Sequence, residues 1–102
     1  MPYIDKPSRA QYNGIVGALR SLDIRSSGEL NYLLTELCLA YLNNQFRGTP
    51  ANYQVRSEIV SALECAKLEF YRRNLAPYED DKAAKNGDVY ATAETLTAAE
   101  RR

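Results

Sequence analysis

The chain has 102 residues, with thirteen lysines and arginines balanced by thirteen aspartates and glutamates, and it contains no histidine. Zero net charge argues against broad binding of nucleic-acid phosphates, and the lack of histidine excludes histidine triads, histidine acid–base catalysis and histidine zinc ligands. The length corresponds to one small domain, and a hydrophobic content of 45% is too high for a disordered tail.

A first helix is predicted from about residue 8 to residue 23. Ser8 and Gln11 have the spacing of a capping box, in which two side chains satisfy free N–H groups at a helix start. The apolar residues that follow recur at intervals of three and four: Tyr12, Ile15, Val16, Leu19 and Leu22. This periodicity indicates one buried helical face.

A second helix begins at another capping-box pair, Ser26 and Glu29. One of its faces consists of large apolar side chains: Leu30, Leu33, Leu34, Leu37 and Tyr41. Most of the opposite side is also apolar: Tyr32, Cys38, Leu39 and Leu42. Only Glu36 and Asn43 remain as a narrow polar strip. Three helices in so short a chain cannot enclose such a helix, so we predict that a second copy, in a homo-oligomer and most simply a dimer, covers the remainder.

A third helix is predicted to start near Asn52, since asparagine is favoured at helix N-caps. Its apolar stripe comprises Val55, Ile59, Ala62, Leu63, Ala66 and Phe70. Pro77 has no backbone N–H and disfavours helical geometry at Ala76, so we expect a break or a restart there. The restart gives a short fourth helix over residues 78–85, which ends at an Asn-Gly pair.

These elements predict an all-α fold, namely a small three- to four-helix bundle that is completed by oligomerisation. We expect residues 1–90 to form a single helical domain and residues 91–102, rich in Ala, Thr and Glu, to be a flexible or frayed extension. The shared core is expected to contain Leu34, Leu37, Leu63, Ala66 and Phe70.

Several classes of site are not expected. Cys38 and Cys65 lie in apolar runs without a Cys-x-x-Cys spacing, so we interpret them as reduced thiols of a cytoplasmic protein. The acidic residues near the fourth helix lack the spacing of a calcium loop, and we predict no metal site. The opening residues do not resemble a signal peptide, and no apolar run approaches the roughly 20 residues of a membrane span.

One segment combines guanidinium, phenol, ammonium and carboxylate groups within about four helical turns: Glu64, Lys67, Tyr71, Arg72, Arg73 and Tyr78. Arginine holds phosphate by two-point contact and stacks on base planes, and tyrosine adds stacking area, so these six residues are a candidate nucleotide site. The alternative is that Glu69 forms ordinary surface ion pairs with Arg72 or Arg73. We identify no catalytic residue and no cofactor motif.

The sequence resembles a known family in three stretches. These are Met-Pro-Tyr-Ile at residues 1–4, Gly-Glu-Leu-Asn-Tyr at residues 28–32, and the run from Glu-Cys-Ala-Lys-Leu-Glu-Phe-Tyr-Arg-Arg at residues 64–73 to Asn-Gly-Asp-Val-Tyr at residues 86–90. They are similar to a family of small bacterial and bacteriophage proteins that is described as a domain of unknown function. The resemblance implies a bacterial or phage setting, and hence the cytoplasm, but no activity. The last dozen residues depart from it.

Together these features predict a non-enzymatic protein that self-associates and acts by binding. The alternative is a phage-encoded protein that sequesters a nucleotide signal in a pocket at a subunit interface. The expected partners are a second copy of the chain and either a small nucleotide or a host protein, with no extended nucleic acid and no membrane.

Overall fold

The structure is a computed structural model that describes residues 2–46 and 52–90. Its regular elements in these ranges are all helical: α1 Lys6–Ala10, α2 Asn13–Ser21, α3 Ser27–Phe46, α4 Tyr53–Phe70, a π-helical turn Tyr71–Leu75, and α5 Ala76–Asn86. The predicted all-α class is therefore confirmed. The predicted extension at residues 91–102 lies outside the described residues.

The predicted first helix is in fact two helices, and its predicted start at residue 8 is wrong. Asp5 caps α1, because its Oδ1 accepts a hydrogen bond from the backbone N–H of Ser8 at 2.9 Å. Pro7 lies in the first turn, where a missing N–H needs no helical partner. The side-chain amide of Gln11 donates to the carbonyl of Ser8 at 3.1 Å, and a turn at Gln11 and Tyr12 separates α1 from α2.

The capping box at the start of α3 is confirmed. The hydroxyl of Ser26 accepts a hydrogen bond from the N–H of Glu29 at 3.1 Å and donates one to Oε2 of Glu29 at 3.0 Å. The same carboxylate oxygen accepts the N–H of Arg25 at 3.2 Å. This reciprocal pairing satisfies N–H groups that a helix start leaves without partners, and α3 then continues for 20 residues.

The predicted start of α4 is also confirmed, since Oδ1 of Asn52 accepts a hydrogen bond from the N–H of Val55 at 3.1 Å. Within the first part of the chain, α3 and α4 lie near each other, with the hydroxyl of Tyr41 3.5 Å from Oε1 of Glu58. The two helices that carry most of the apolar residues are thus neighbours.

Of the predicted break or restart at Pro77, the structure shows a restart without a break: the predicted fourth helix is α5, which begins at Ala76 rather than at residue 78. In a regular α-helix, the proline would leave the carbonyl of Arg73 without an N–H partner and press its ring on that carbonyl. The chain forms a π-helical turn just before it, in which the N–H of Ala76 donates to the carbonyl of Tyr71, five residues back. Ala76 itself keeps helical angles, φ −60° and ψ −46°, so the predicted disruption there is wrong. The predicted helix end is confirmed at Gly87, whose φ is 92°.

The chain divides into two units, Met1–Ala66 and Lys67–Arg102. No described residue of either unit is buried. The best covered apolar side chains of the first unit are half-buried: Leu33, Cys38, Leu42, Val55 and Ile59. The residues predicted for the core, by contrast, are exposed: Leu34, Leu37, Leu63, Ala66 and Phe70. These five residues can form a core only if something other than the described part of one chain shields them from water.

Candidate functional site

The six predicted site residues lie on a helical surface and belong to different units. Glu64 lies in α4 within the first unit, whereas Lys67, Tyr71, Arg72, Arg73 and Tyr78 belong to the second. We call the five residues of the second unit the Tyr/Arg cluster. Three of them are consecutive in the π-helical turn, and that turn exists because Pro77 follows it.

The Tyr/Arg cluster is open to solvent and contains a surface ion pair. The side chains of Tyr71 and Tyr78 are 51% and 55% exposed. Nη2 of Arg72 lies 2.6 Å from Oε1 of Glu69, so the alternative that sequence analysis left open is confirmed for this arginine. Glu69 is half-buried and Arg72 is exposed, and an ion pair between residues three apart on a helix contributes about 0.2 to 0.5 kcal/mol.

Sequence analysis missed one member of this surface. Nζ of Lys82 lies 5.6 Å from the centroid of the Tyr78 ring, within the range of a cation–π contact. The signal was present in the sequence, because residues four apart on a helix are neighbours. The ring of Tyr78 therefore already has a cation beside it.

A shallow groove of about 380 Å³ runs along α4 in the first unit. It is lined by small and polar side chains on one face of that helix: Gln54, Ser57, Glu58, Ser61, Ala62 and Cys65. The groove is wide open and carries a single carboxylate, that of Glu58, which also lies near the Tyr41 hydroxyl. It resembles a helix face on which another element can pack more than a pocket that encloses a ligand.

Two stripes of α3 differ in chemistry, and both are exposed. The first, which we call the α3 seam, is apolar throughout: Leu30, Leu34, Leu37 and Tyr41. The second, which we call the outer stripe, alternates apolar and polar residues: Tyr32, Glu36, Leu39 and Asn43. Each residue of the seam is between 40% and 65% exposed. Large apolar patches of this kind mark surfaces that other elements cover.

Two further kinds of site were sought in the described ranges. In residues 2–46 and 52–90, no three cysteine, aspartate or glutamate side chains come together as a metal site would require. Among the helices of the same ranges, none combines the length and the apolar character of a membrane span.

The fold and these surfaces define a small all-α protein with an exposed apolar helix and an open surface rich in tyrosine and arginine. The chain belongs to the family described as Domain of unknown function (DUF6899), whose family model matches residues 1–89. This match confirms the resemblance to a domain of unknown function. No curated protein and no solved structure matches the chain.

Proposed function

We propose that this protein works by binding, without catalysis, and that its first partner is another copy of itself. The observation that carries the proposal is the exposure of the α3 seam, in a described chain that buries no residue. Burying a large apolar side chain contributes about 1.5 to 3 kcal/mol, and a domain's net stability is only about 5 to 15 kcal/mol. A chain that leaves its apolar helix in water gives up a large share of that stability, and association recovers it.

The test is the mass of the protein in solution, measured by light scattering at micromolar concentration under reducing conditions. We expect at least twice the chain mass of 11.5 kDa. A Cys65→Ser variant is the control, because an exposed free thiol can join two chains by oxidation. If the variant has the same mass in solution as the parent, the association is non-covalent. A particle of 11.5 kDa for the parent contradicts the proposal.

A second candidate function is sequestration of a small nucleotide by the Tyr/Arg cluster. It is supported by the grouping of Tyr71, Arg72 and Arg73 in a π-helical turn, since such turns recur at functional sites. Guanidinium groups beside an exposed phenol ring suit a phosphate and a base plane. Because the surface is open, closing it into a pocket requires a second copy, and Lys67 of the same unit would supply a further polar contact there.

Calorimetric titration with a panel of nucleotides and cyclic dinucleotides tests this second candidate. Saturable heat with one class of nucleotide supports it, and no heat with any of them contradicts it. Association measured by light scattering is independent of this result, so the two candidates are separable.

The setting that we propose is the cytoplasm of a bacterial cell, with the gene carried by the host or by a phage. Two observations support it: the resemblance of the sequence to small bacterial and bacteriophage proteins, and the two free cysteines, Cys38 and Cys65. Free thiols persist in reducing compartments, whereas secreted proteins of this size commonly use paired cysteines.

A further inference from the structure

We propose that the α3 seam, rather than the outer stripe or the Tyr/Arg cluster, is the surface on which a second copy docks, with its own α3 seam facing it. This inference rests on the proposed self-association and adds to it the face, the partner and the geometry of pairing. It treats Leu30, Leu34, Leu37 and Tyr41 as one interface.

The spacing of the seam is that of helices that pack in bundles. Its four residues follow one another at intervals of four, three and four, which is the a and d pattern of knobs-into-holes packing. In α4, Ile59, Leu63 and Ala66 have intervals of four and three as well. The Tyr41 hydroxyl approaches Glu58 of α4 in the first unit, so two copies paired through α3 would bring together four helices with this pattern, as in a four-helix bundle.

The outer stripe has the same spacing but the wrong chemistry for a dry interface. Glu36 follows Tyr32 after four residues, and Asn43 follows Leu39 after four. Burying an unpaired carboxylate costs several kcal/mol, which offsets what the neighbouring apolar residues gain. The two stripes therefore differ in their own polar groups: the seam carries the Tyr41 hydroxyl, which already lies 3.5 Å from Oε1 of Glu58 in the same chain, whereas the outer stripe carries a carboxylate and an amide.

The area of the seam is of the order that a dimer interface requires, and meets the requirement at the upper end of its range. A large apolar side chain carries on the order of 100 to 200 Å² of surface, so four that are about half exposed leave roughly 200 to 400 Å² per copy. Two copies then bury roughly 400 to 800 Å² of apolar surface. A stable interface of about 1,200 Å², a little over half of it apolar, requires roughly 700 Å² of such surface.

The α3 seam of one copy is expected to face the α3 seam of the other because most dimers have two-fold symmetry. In a two-fold dimer the same patch is used by both copies, and residues near the middle of the patch approach their own counterparts. Leu37 lies near the middle of the seam and is its most exposed member, at 65%. It is the position at which a charge disturbs the pairing most directly.

The test compares Leu37→Asp with Leu39→Asp by sedimentation velocity of the full chain under reducing conditions. The substitutions are chemically identical and two residues apart on one helix, and Leu39, 45% exposed, belongs to the outer stripe. We expect Leu37→Asp to raise the dissociation constant about a hundredfold or more, because it buries a charge, while Leu39→Asp remains associated like the parent. If the Leu37→Asp variant associates as strongly as the Leu39→Asp variant, the inference is wrong.

A mixture of variants keeps the test decisive if a single charge also unfolds the chain. Leu37→Asp and Leu37→Lys are each expected to dissociate alone, and an equal mixture is expected to recover mass and helical circular dichroism, since opposite charges then meet in the interface. A mixture that stays dissociated overturns the inference. A parent chain that is itself monomeric contradicts the proposed function as well, whereas an associated parent with an unaffected Leu37→Asp variant removes only the assignment of this face.

Discussion

Asp5 shows how one side chain decides where the fold begins. Its pKa lies below the ordinary value of 3.8 because the Ser8 side chain, and then the Ser8 backbone N–H, hydrogen-bond to the carboxylate. The ionised form is the one that accepts these bonds, so the cap is strongest when the group carries its charge. A carboxylate that is easier to ionise in the folded chain stabilises the fold above the pKa of the unfolded chain.

We therefore predict that α1 weakens as the pH falls through the lowered pKa of Asp5 and is fully capped above pH 3.8. The measurement is the pH dependence of the amide and carbon chemical shifts of α1 by NMR. In Asp5→Asn the cap is retained without a titrating group, because asparagine caps helices as well as aspartate does. An unchanged titration of α1 in that variant would assign the effect to another group.

At the Tyr/Arg cluster, we predict that replacing both Arg72 and Arg73 by glutamine abolishes nucleotide heat in calorimetry and shifts the free energy of unfolding by less than about 1 kcal/mol. The expected stability effect is small because the Arg72 side chain is 65% exposed and an ion pair between residues three apart on a helix contributes only about 0.2 to 0.5 kcal/mol. Arg20→Gln, on α2 in the first unit, is the control and should leave both readings unchanged. A large loss of stability together with no nucleotide heat for the parent would make these arginines structural.

At the scale of the elements, capping residues located two helix starts correctly and misplaced a third. Ser26 and Asn52 cap α3 and α4 as expected. At the first helix Ser8 has the required spacing, but Asp5 comes earlier and is followed by a proline that favours the first turn. An aspartate at this distance does not decide the start by itself, because Asp23 lies three residues before Ser26 in the same way. The pattern of apolar residues begins only at Tyr12, so it gave no sign of a separate helix before the turn at residues 11 and 12.

The π-helical turn was beyond sequence reasoning for a different reason. A proline removes a hydrogen bond, but its sequence position does not say whether the chain then leaves the helix or widens it by one residue. The π-helical turn at Tyr71–Leu75 lets the chain remain helical up to α5, whose first two residues are Ala76 and Pro77. The composition of the candidate site was therefore predictable, and so was the contact of Lys82 with Tyr78 four residues earlier, although it was missed. The setting of the arginines in a widened turn was not predictable.

The capping box of α3 yields a test at this scale. We predict that Ser26→Ala lowers the free energy of unfolding by about 1 kcal/mol, since the Ser26 hydroxyl both accepts and donates at the helix start. Ser27→Ala, one residue later and inside α3, is the matched control and should change stability by less than about 0.5 kcal/mol. Both are measured by urea unfolding at one fixed protein concentration. Equal losses for the two variants would show that the hydroxyl bonds do not stabilise the helix.

At the scale of the whole molecule, the sequence indicated correctly that helix content is high and that α3 carries more apolar surface than a short chain can cover. The sequence could not indicate how few apolar side chains the described part of the chain shields from water. Leu34, Leu37 and Leu63 were expected to be shielded, and all three are exposed. Periodicity identifies which residues share a face, but it does not say whether the element that covers that face comes from the same chain.

The most direct test of this account is the dependence of the melting temperature on protein concentration, followed by circular dichroism under reducing conditions. If the fold is completed by a second copy, folding and association are one equilibrium, and the melting temperature must rise as the concentration is raised a hundredfold. We predict such a rise for the parent chain and its loss in Leu37→Asp. A melting temperature of the parent that does not change over that range would contradict the claim that a second copy completes the fold.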